Sequence, residues 1–333
     1  MFQTLLSVLV AALVCLTGVD ASQETTGNSS VAVYWGFGKT RPLAAYCQPG
    51  QGIDILIIGS ISSLKSGGYL TGIFGANCTV EPSGSFTKGC SAVAQDIQTC
   101  QAANVKIFVG YSSDGNKWAI PGTQGASKIA SQLWDSYGGN TSDSKIRPFG
   151  NVKVDGFDFD VESNPSHQAQ NYLGPLVNDL RSHFSSDTSK SYYISGAPQC
   201  PIPAPDMSNS IAQAPYDYLW IQFYNNDCAA ADVVKNSTGN PNGAGQYNIK
   251  KWPQYVSSGA SKDAKLYVGL PASRSGAAHW DWVKPADLPK VIGVSPGISG
   301  VMLWNTFHSD QATSNGCTYA QNVARVLSTG KPC

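Results

Sequence analysis

Three acidic residues, Asp158, Asp160 and Glu162, alternate with apolar residues in one short stretch of the sequence. Successive side chains of a β-strand point to opposite faces, so the three carboxylates would form a row opposite Phe157 and Phe159. Burying such a row without partners costs on the order of several kcal/mol, which indicates a functional role. The alternatives are a metal-binding acidic loop and a solvated edge strand, and the bulky apolar face argues against a solvated strand. We interpret the stretch as a carboxylate relay that ends at Glu162.

Glu162 is the candidate general acid of this relay. An acid that protonates a glycosidic oxygen must hold a proton, and repulsion from Asp158 and Asp160 would favour that state. The three carboxyl groups should titrate as a coupled set. No second acidic residue stands at a predicted strand end as an obvious nucleophile, because Asp227 adjoins Cys228 and is expected in a loop. One acid without a partner nucleophile indicates substrate-assisted glycoside hydrolysis, an exception to the two-carboxylate scheme.

Eight short runs of apolar residues are predicted to be β-strands, and their near-continuous apolar character favours parallel strands covered on both faces. They span residues 31–35, 53–60, 106–110, 154–162, 192–197, 218–224, 265–270 and 300–304. Helical spacing of apolar residues predicts helices at 91–103, 126–137, 167–184, 249–257 and 319–327, and short helices near 207–213 and 288–292. This alternation predicts an α/β fold, a single (β/α)8 TIM barrel with long disulfide-stapled loops at 62–88 and 228–246.

The carboxyl ends of several predicted strands carry aromatic and amide side chains, namely Tyr34, Gln222, Asn225 and Trp304. In a barrel of this kind the active site lies at these ends. An aromatic floor, an acid and amide groups together suit a sugar, because sugar rings stack on aromatic rings while polar groups bind their hydroxyls. The alternative is that each aromatic residue belongs to the core.

The N-terminal residues are predicted to be a targeting signal. Residues 5–16 are apolar but too few to cross a bilayer, and residues 19–21 fit a small-residue cleavage site. We therefore expect a signal peptide at residues 1–21, a catalytic domain at residues 22–333, and a secreted, extracellular protein. Cys15 lies in the signal, which leaves eight cysteines, an even number as a secreted disulfide framework requires. Sequons for N-glycosylation stand at Asn28, Asn77, Asn140 and Asn236.

Charge and composition narrow the classes of partner. Basic and acidic residues both number 22, and charged residues make up 13% of the chain, which excludes a basic nucleic-acid footprint. No second apolar run has membrane length, so no membrane association is expected after processing. The cysteines form no CxxC pair and the four histidines are scattered, so we expect neither a metal nor a cofactor. We expect a monomer whose partner is its sugar substrate.

Residues 155–162 read Asp-Gly-Phe-Asp-Phe-Asp-Val-Glu. They resemble the DGxDxDxE signature of the family 18 glycoside hydrolases, the chitinases. Segments 33–36 (Val-Tyr-Trp-Gly), 197–201 (Ala-Pro-Gln-Cys-Pro), 222–226 (Gln-Phe-Tyr-Asn-Asn) and 301–304 (Val-Met-Leu-Trp) resemble the class III, hevamine-like branch of plants and fungi. The resemblance covers nearly all of the chain after residue 21. It implies a retaining chitinase that hydrolyses β-1,4 linkages between N-acetylglucosamine units of chitin or chito-oligosaccharides.

The resemblance also implies roles for individual residues. Glu162 would be the acid/base. Asp160 would orient the substrate N-acetyl group and share a proton with Asp158, and Tyr224 would hydrogen-bond that group as it attacks the anomeric carbon. Tyr34, Gln222, Asn225 and Trp304 would line the site of the sugar to be cleaved. The peptide bond between Trp304 and Asn305 is expected to be cis.

Disulfide pairs follow from the same resemblance. It implies the pairs Cys47–Cys100, Cys78–Cys90 and Cys200–Cys228, which leaves Cys317 with Cys333. Eight cysteines alone allow 105 connectivities, so spacing does not determine this pairing.

Two other functions stay open. An endo-β-N-acetylglucosaminidase on N-glycans would use the same chemistry on a neighbouring substrate. A catalytically weak or inactive chitin-binding lectin or glycosidase inhibitor would keep the barrel without the activity. The sequence departs from the family pattern at positions expected to shape the floor of the site: Phe-Gly at 37–38 replaces Gln-Asn, Gly-Tyr-Ser-Ser at 110–113 replaces Ser-x-Gly-Gly, and Ile-Ile-Gly at 57–59 lacks the usual Phe. The departure at 110–113 keeps the lectin or inhibitor alternative open.

Overall fold

The computed structural model describes residues 29–64, 69–112, 120–162, 168–235 and 246–333. The predicted signal peptide, the sequons at Asn28 and Asn236, and Ser113 of the third predicted strand lie outside these described residues. Within the described ranges no helix is long and apolar enough to cross a membrane.

A closed parallel barrel forms the centre of the molecule. The described strands are β1 (Ser30–Trp35), β2 (Ile55–Leu64), β3 (Leu70–Phe74), β4 (Cys78–Val80), β5 (Lys106–Ser112), β6 (Gly156–Asp160), β7 (Tyr193–Gly196), β8 (Tyr218–Gln222), β9 (Lys265–Pro271) and β10 (Gly300–Trp304). β1 pairs in parallel with β2 on one side and β10 on the other, so the sheet closes. All strands except β3 and β4 belong to this ring of eight. The predicted TIM barrel is confirmed.

Helices cover the outside of the barrel: α1 (Cys90–Ala102), α2 (Gly122–Tyr137), α3 (Gln168–His183), α4 (Ser208–Gln213), α5 (Trp252–Val256), α6 (Leu288–Gly293), α7 (Thr306–Gln311) and α8 (Tyr319–Thr329). Of these, α7 was not predicted, because its six residues follow β10 directly and are too few to show a period. Its N-cap is Asn305, whose side-chain oxygen accepts the N–H of His308. The helix predicted at 249–257 has a 3-10 first turn, Ile249–Lys251, before α5.

Residues 62–88 were predicted as one long loop, and this prediction was wrong. β2 continues to Leu64, and β3 and β4 form an antiparallel hairpin beside it. Gly59 makes room for this hairpin, because a Cβ there would lie 2.3 Å from Cδ1 of Phe74. The Cys78–Cys90 disulfide ties the hairpin to α1. The hairpin was missed because its two strands are short and interrupted by glycine and polar residues.

Strand alternation divides the buried side chains into two sets. The inner set, which includes Tyr34, Phe108 and Trp220, fills the barrel, and each of these side chains is at most 2% exposed. The outer set, which includes Phe157 and Phe159, packs beneath the helices. The barrel is therefore a packed core, and polar groups among the inner set require partners.

Arg147 stabilises the segment that leads into β6, a role that was not predicted from the sequence. It is 1% exposed, and its guanidinium group donates hydrogen bonds of 2.6–3.1 Å to backbone carbonyl oxygens. The acceptors belong to Asp135, Gly138, Asn140, Gly150 and Val152. One side chain thus connects the end of α2 to the turn before β6.

All four predicted disulfides are present: Cys47–Cys100, Cys78–Cys90, Cys200–Cys228 and Cys317–Cys333. Cys47 and Cys100 are 53 residues apart in sequence, whereas Cys78 and Cys90 are 12 apart. The Cys47–Cys100 and Cys78–Cys90 bonds both reach α1, Cys200–Cys228 joins the loops that follow β7 and β8, and Cys317–Cys333 joins the turn before α8 to the segment after it.

Candidate active site

β6 carries the row of carboxylates. Asp158 is fully buried, whereas Asp160 and Glu162 are partly exposed at the carboxyl end of the strand. Phe157 and Phe159 are fully buried on the opposite face. The carboxyl groups therefore extend in a row from the core to the end of the barrel, as the alternation of side chains along the strand predicts.

Asp155 and Gly156 fix the start of this strand. One oxygen of Asp155 accepts the N–H of Ile107 at 2.8 Å, and the other lies 2.5 Å from Nζ of Lys190. Gly156 permits close packing, because a Cβ there would lie 2.7 Å from the carbonyl oxygen of Tyr193. These residues of the Asp-Gly pair hold β6 in register with β5 and β7.

Asp158 is the inner member of the row, and both of its oxygens have donors. Oδ2 accepts the Tyr34 hydroxyl at 2.7 Å, and Oδ1 accepts the Ser195 hydroxyl at 2.6 Å and the Trp220 indole N–H at 2.9 Å. Burial raises the pKa of Asp158 to about 6, although these bonds oppose the rise. Burial also raises the pKa of Tyr34 well above its ordinary value, so the phenol keeps its proton and donates.

Asp160 and Glu162 form a hydrogen-bonded pair of carboxyls. Gln222 bridges them: its Nε2 donates to Oε1 of Glu162 at 2.7 Å and to Oδ1 of Asp160 at 3.1 Å. Burial, followed by the negative charges of Glu162 and Asp158, raises the pKa of Asp160 well above its ordinary value. In this structure Asp160 is hydrogen-bonded to Glu162, and the proton that the resemblance implied between Asp160 and Asp158 stays a prediction.

Tyr224 and Asn225 follow β8 and face the same carboxyls. Tyr224 is 5% exposed. Burial and the charges of Glu162 and Asp160 raise its pKa well above the ordinary value, so its hydroxyl stays protonated. Asn225 adopts a left-handed backbone conformation with φ of 57°. Its place in the turn brings it beside Tyr224 at the site.

Trp304 ends β10 opposite the carboxyls. Its ring centroid lies 5.4 Å from that of Tyr34 and 4.7 Å from that of Phe37. The bond from Trp304 to Asn305 is cis, as predicted. An indole flanked by two aromatic rings provides a rigid apolar surface for a sugar face.

These side chains surround a cavity of about 360 Å³. The described residues that line it are Phe37, Ser60, Ser112, Asp160, Glu162, Tyr224, Asn225, Gly276 and Trp304. Of the predicted sugar-site residues, Asn225 and Trp304 lie on the wall. Tyr34 and Gln222, which are 2% and 3% exposed, lie behind it and hold Asp158 and the Asp160–Glu162 pair. Across the described ranges, no group of three or more His, Cys, Asp or Glu could hold a metal ion.

Comparison with known proteins identifies the family. No family model matches the chain. Endochitinase 2 of Metarhizium robertsii is 35% identical over 327 residues, which cover 93% of this chain and 76% of that protein. The chain belongs to the family 18 glycoside hydrolases. The class III chitinase assignment predicted from the motifs is confirmed with it.

Solved structures share the barrel of this family 18 member. A xylanase and α-amylase inhibitor protein from Scadoxus multiflorus aligns with a TM-score of 0.70 and 23% identity, covering 92% of this chain and 100% of that one. A chitinase from Ipomoea carnea aligns with a TM-score of 0.68 and 23% identity, covering 89% and 98%. At this identity the likeness shows the fold alone. Family membership at the higher identity makes the protein a glycoside hydrolase.

Several residues of this family 18 site were not predicted. Ser195 and Trp220 donate to Asp158, and Phe37, Ser60 and Ser112 line the cavity. Strand register was the signal that could have found Ser195, because Asp158 is paired with it across β6 and β7. Trp220 lies two residues before Gln222 and therefore faces the same interior. Phe37 is one of the residues at which the sequence differs from the family pattern, and no contact was predicted for it.

The described sequons of this glycoside hydrolase differ in their surroundings. Asn77 is exposed in the turn between β3 and β4. Asn140 is partly buried, and its amide nitrogen donates to Asp135 at 2.7 Å while its oxygen accepts from Ser142. A glycan therefore has open space at Asn77 and a competing hydrogen bond at Asn140.

Proposed function

We propose that the protein is a secreted, retaining chitinase that cleaves β-1,4 bonds between N-acetylglucosamine units. The observation that carries the proposal is the Asp160–Glu162 carboxyl pair on the cavity wall. Among the described residues that line the cavity, these two are the only acids. A retaining enzyme of the two-carboxylate type needs a separate carboxylate about 5 Å from the acid. Here the neighbouring acid is bound to the first, so the substrate's own acetamido oxygen supplies the nucleophile.

The pair supplies the proton for the first step. The proton shared by Asp160 and Glu162 passes to the glycosidic oxygen from Glu162 as the bond to the leaving sugar breaks. The oxygen of the substrate's acetamido group attacks the anomeric carbon. Asp160 accepts the N–H of this group, and the Tyr224 hydroxyl donates to its oxygen. A cyclic oxazolinium intermediate forms on the opposite face of the sugar. Water deprotonated by Glu162 then opens this ring, so two inversions retain the configuration.

Chitin oligomers fit the site in shape and chemistry. Trp304 and Phe37 offer an apolar corner opposite the carboxyls, as a sugar ring with one polar edge requires. A second hollow of about 850 Å³ adjoins the cavity through Asn225, which supports binding of several sugar units. The Metarhizium relative carries the name endochitinase. We therefore propose internal cleavage of the polymer.

Secretion is part of the proposal. Four disulfides are stable in an oxidising compartment and rare in the cytosol. The apolar run at residues 5–16 supplies the signal for export. We propose glycosylation at Asn77 in preference to Asn140, because the Asn77 side chain is exposed.

Replacement of Glu162 tests the proposal. We expect E162Q to lower kcat on chitotetraose by roughly two to four orders of magnitude, because the amide can neither give nor take the proton. Steady-state hydrolysis of the soluble oligomer measures it. E81Q makes the same change at an exposed position directly after β4 and should retain activity. Unchanged turnover in E162Q, or an inactive parent protein, would contradict the proposal.

Substrate and stereochemistry separate the remaining alternatives. The first product should be the β-anomer by NMR, because substrate assistance retains configuration; an α-anomer would exclude this route. Cleavage of a high-mannose N-glycan in preference to chitotetraose would instead identify an endo-β-N-acetylglucosaminidase. Binding of chitotetraose without turnover would identify a lectin.

A further inference from the structure

The turn after β8 holds a strained residue at the wall of the cavity. Asn225 has φ of 57°, a left-handed conformation that costs most residues roughly 1–2 kcal/mol and that asparagine adopts less readily than glycine. Asn225 and its neighbour Tyr224 both line the cavity. Contacts outside the turn must therefore hold it in place.

The loop after β9 supplies these contacts. The backbone N–H of Asn225 donates to Oδ2 of Asp281 at 2.7 Å, and the N–H of Ala278 donates to Oδ1 of Asn225 at 2.9 Å. The two bonds join the turn and the loop from both sides of one residue. Gly276 of the same loop also lines the cavity.

Asp281 is an unusual group for such a contact. It is only 2% exposed, and it is not among the residues that line the cavity. Lys235 lies behind it, with Nζ 3.5 Å from Oδ1 of Asp281 and 3.5 Å from Oδ1 of Asp232. Burial raises the pKa of Asp281, while the Asn225 N–H and Lys235 oppose that rise. One oxygen of this buried acid accepts the Asn225 N–H while the other faces Lys235, which indicates a demand for geometry, since an apolar side chain would pack there at lower cost.

We propose that Asp281 is a positioning residue of the active site. It fixes Asn225 in the left-handed conformation and thereby sets the Tyr224 hydroxyl against the Asp160–Glu162 pair. The proposal rests on the proposed function for its catalytic consequence. The effect of Asp281 on the backbone conformation of residue 225 does not depend on any substrate.

Activity on chitotetraose tests the catalytic consequence. D281A should lower kcat/KM by roughly tenfold to hundredfold, the size expected when a catalytic group shifts by about 1 Å. D281N keeps an oxygen that can accept the Asn225 N–H and should recover most of the loss. R147K disturbs a buried network at the end of α2 that does not line the cavity, and it serves as the control for destabilisation. D281A activity within twofold of the parent, or D281N as poor as D281A, would overturn the proposal.

A double-mutant cycle separates positioning from general stability. Glycine adopts the left-handed conformation without strain, so N225G removes the need for Asp281. The D281A/N225G variant should match N225G in kcat/KM, whereas a further tenfold loss would overturn the proposal. Should D281A not fold alone, the double variant should fold; its failure to fold as well would assign Asp281 to the fold and overturn positioning.

Hydrogen exchange tests the hold on residue 225 without substrate. Exchange in the peptide that spans residues 222–228 should rise at least tenfold in D281A and not in R147K. An unchanged rate would overturn the proposal. If the parent cleaves no oligomer while this exchange changes as expected, the proposed function fails and the positioning role stands.

Discussion

Asp158 accepts three hydrogen bonds, and its pKa nevertheless lies at about 6. Each bond stabilises the charged form, so removal from water must outweigh the three together. The same removal acts on Asp160, where the charge of Glu162 adds to it. Asp158 and Asp160 thus hold protons at pH values at which exposed aspartates would have released them.

This property predicts a pH dependence of stability. Between about pH 4 and 6 the folded protein holds a proton on Asp158 that the unfolded chain has released, so stability should fall as pH rises. A pKa moved from 3.8 to about 6 corresponds to about 3 kcal/mol. D158N should flatten this slope in urea denaturation at a series of pH values. D263N, at an exposed position, is the control, and parallel curves for D158N and the parent would contradict the expectation.

Phe37 predicts a separate effect on substrate binding. Its ring packs on Trp304 and lines the cavity but carries no group that can transfer a proton. F37A should therefore raise KM for chitotetraose roughly threefold to tenfold, the value of one aromatic contact, and change kcat little. F86A removes an aromatic ring that is 37% exposed and outside the cavity lining, and it should behave as the parent. A fall in kcat at constant KM would refute this role.

At the scale of elements, Arg147 joins α2 to the entry of β6. Lysine has a single nitrogen in place of the three that Arg147 uses, so R147K leaves buried carbonyls without donors. We expect a loss of about 2–4 kcal/mol of unfolding free energy in urea titration. R325K makes the same change on the exposed side of α8 and should cost little. A loss no greater than that of R325K would show that water replaces the missing donors.

The elements that sequence could predict are those with a strong period or a distinctive motif. The barrel strands are continuous apolar runs, and the acid row of β6 has a motif, so both were found. The hairpin and α7 were missed because short elements carry little periodic signal, and tertiary contacts such as Phe74 against Gly59 decide them. Within the site, residue types indicated Glu162 and Asp160. Their bond to each other was not predictable, because it depends on how Gln222 reaches across from β8.

At the scale of the molecule, the disulfides should differ in their contributions. Cross-linking residues that are far apart in sequence restricts the unfolded chain more than a local bond does. We expect the C47A/C100A pair to cost about 4 kcal/mol and the C78A/C90A pair about 3 kcal/mol, from loops of 53 and 12 residues. Guanidinium denaturation of both variants measures the order. The reverse order would indicate that hairpin packing, rather than chain entropy, dominates.

Closure of the sheet also governs how molecules of this protein meet one another. Each barrel strand has a hydrogen-bonded neighbour on both sides, and the edge strand β4 is partly covered by an antiparallel bridge between Val80 and Phe86. That edge is three residues long and is followed by Pro82, which makes it a poor template for strands from another chain. Formal net charge is zero at pH 7, so charge repulsion does little to keep molecules apart in concentrated solution. We therefore expect the geometry of the closed sheet, rather than charge, to limit fibrous aggregation of this enzyme.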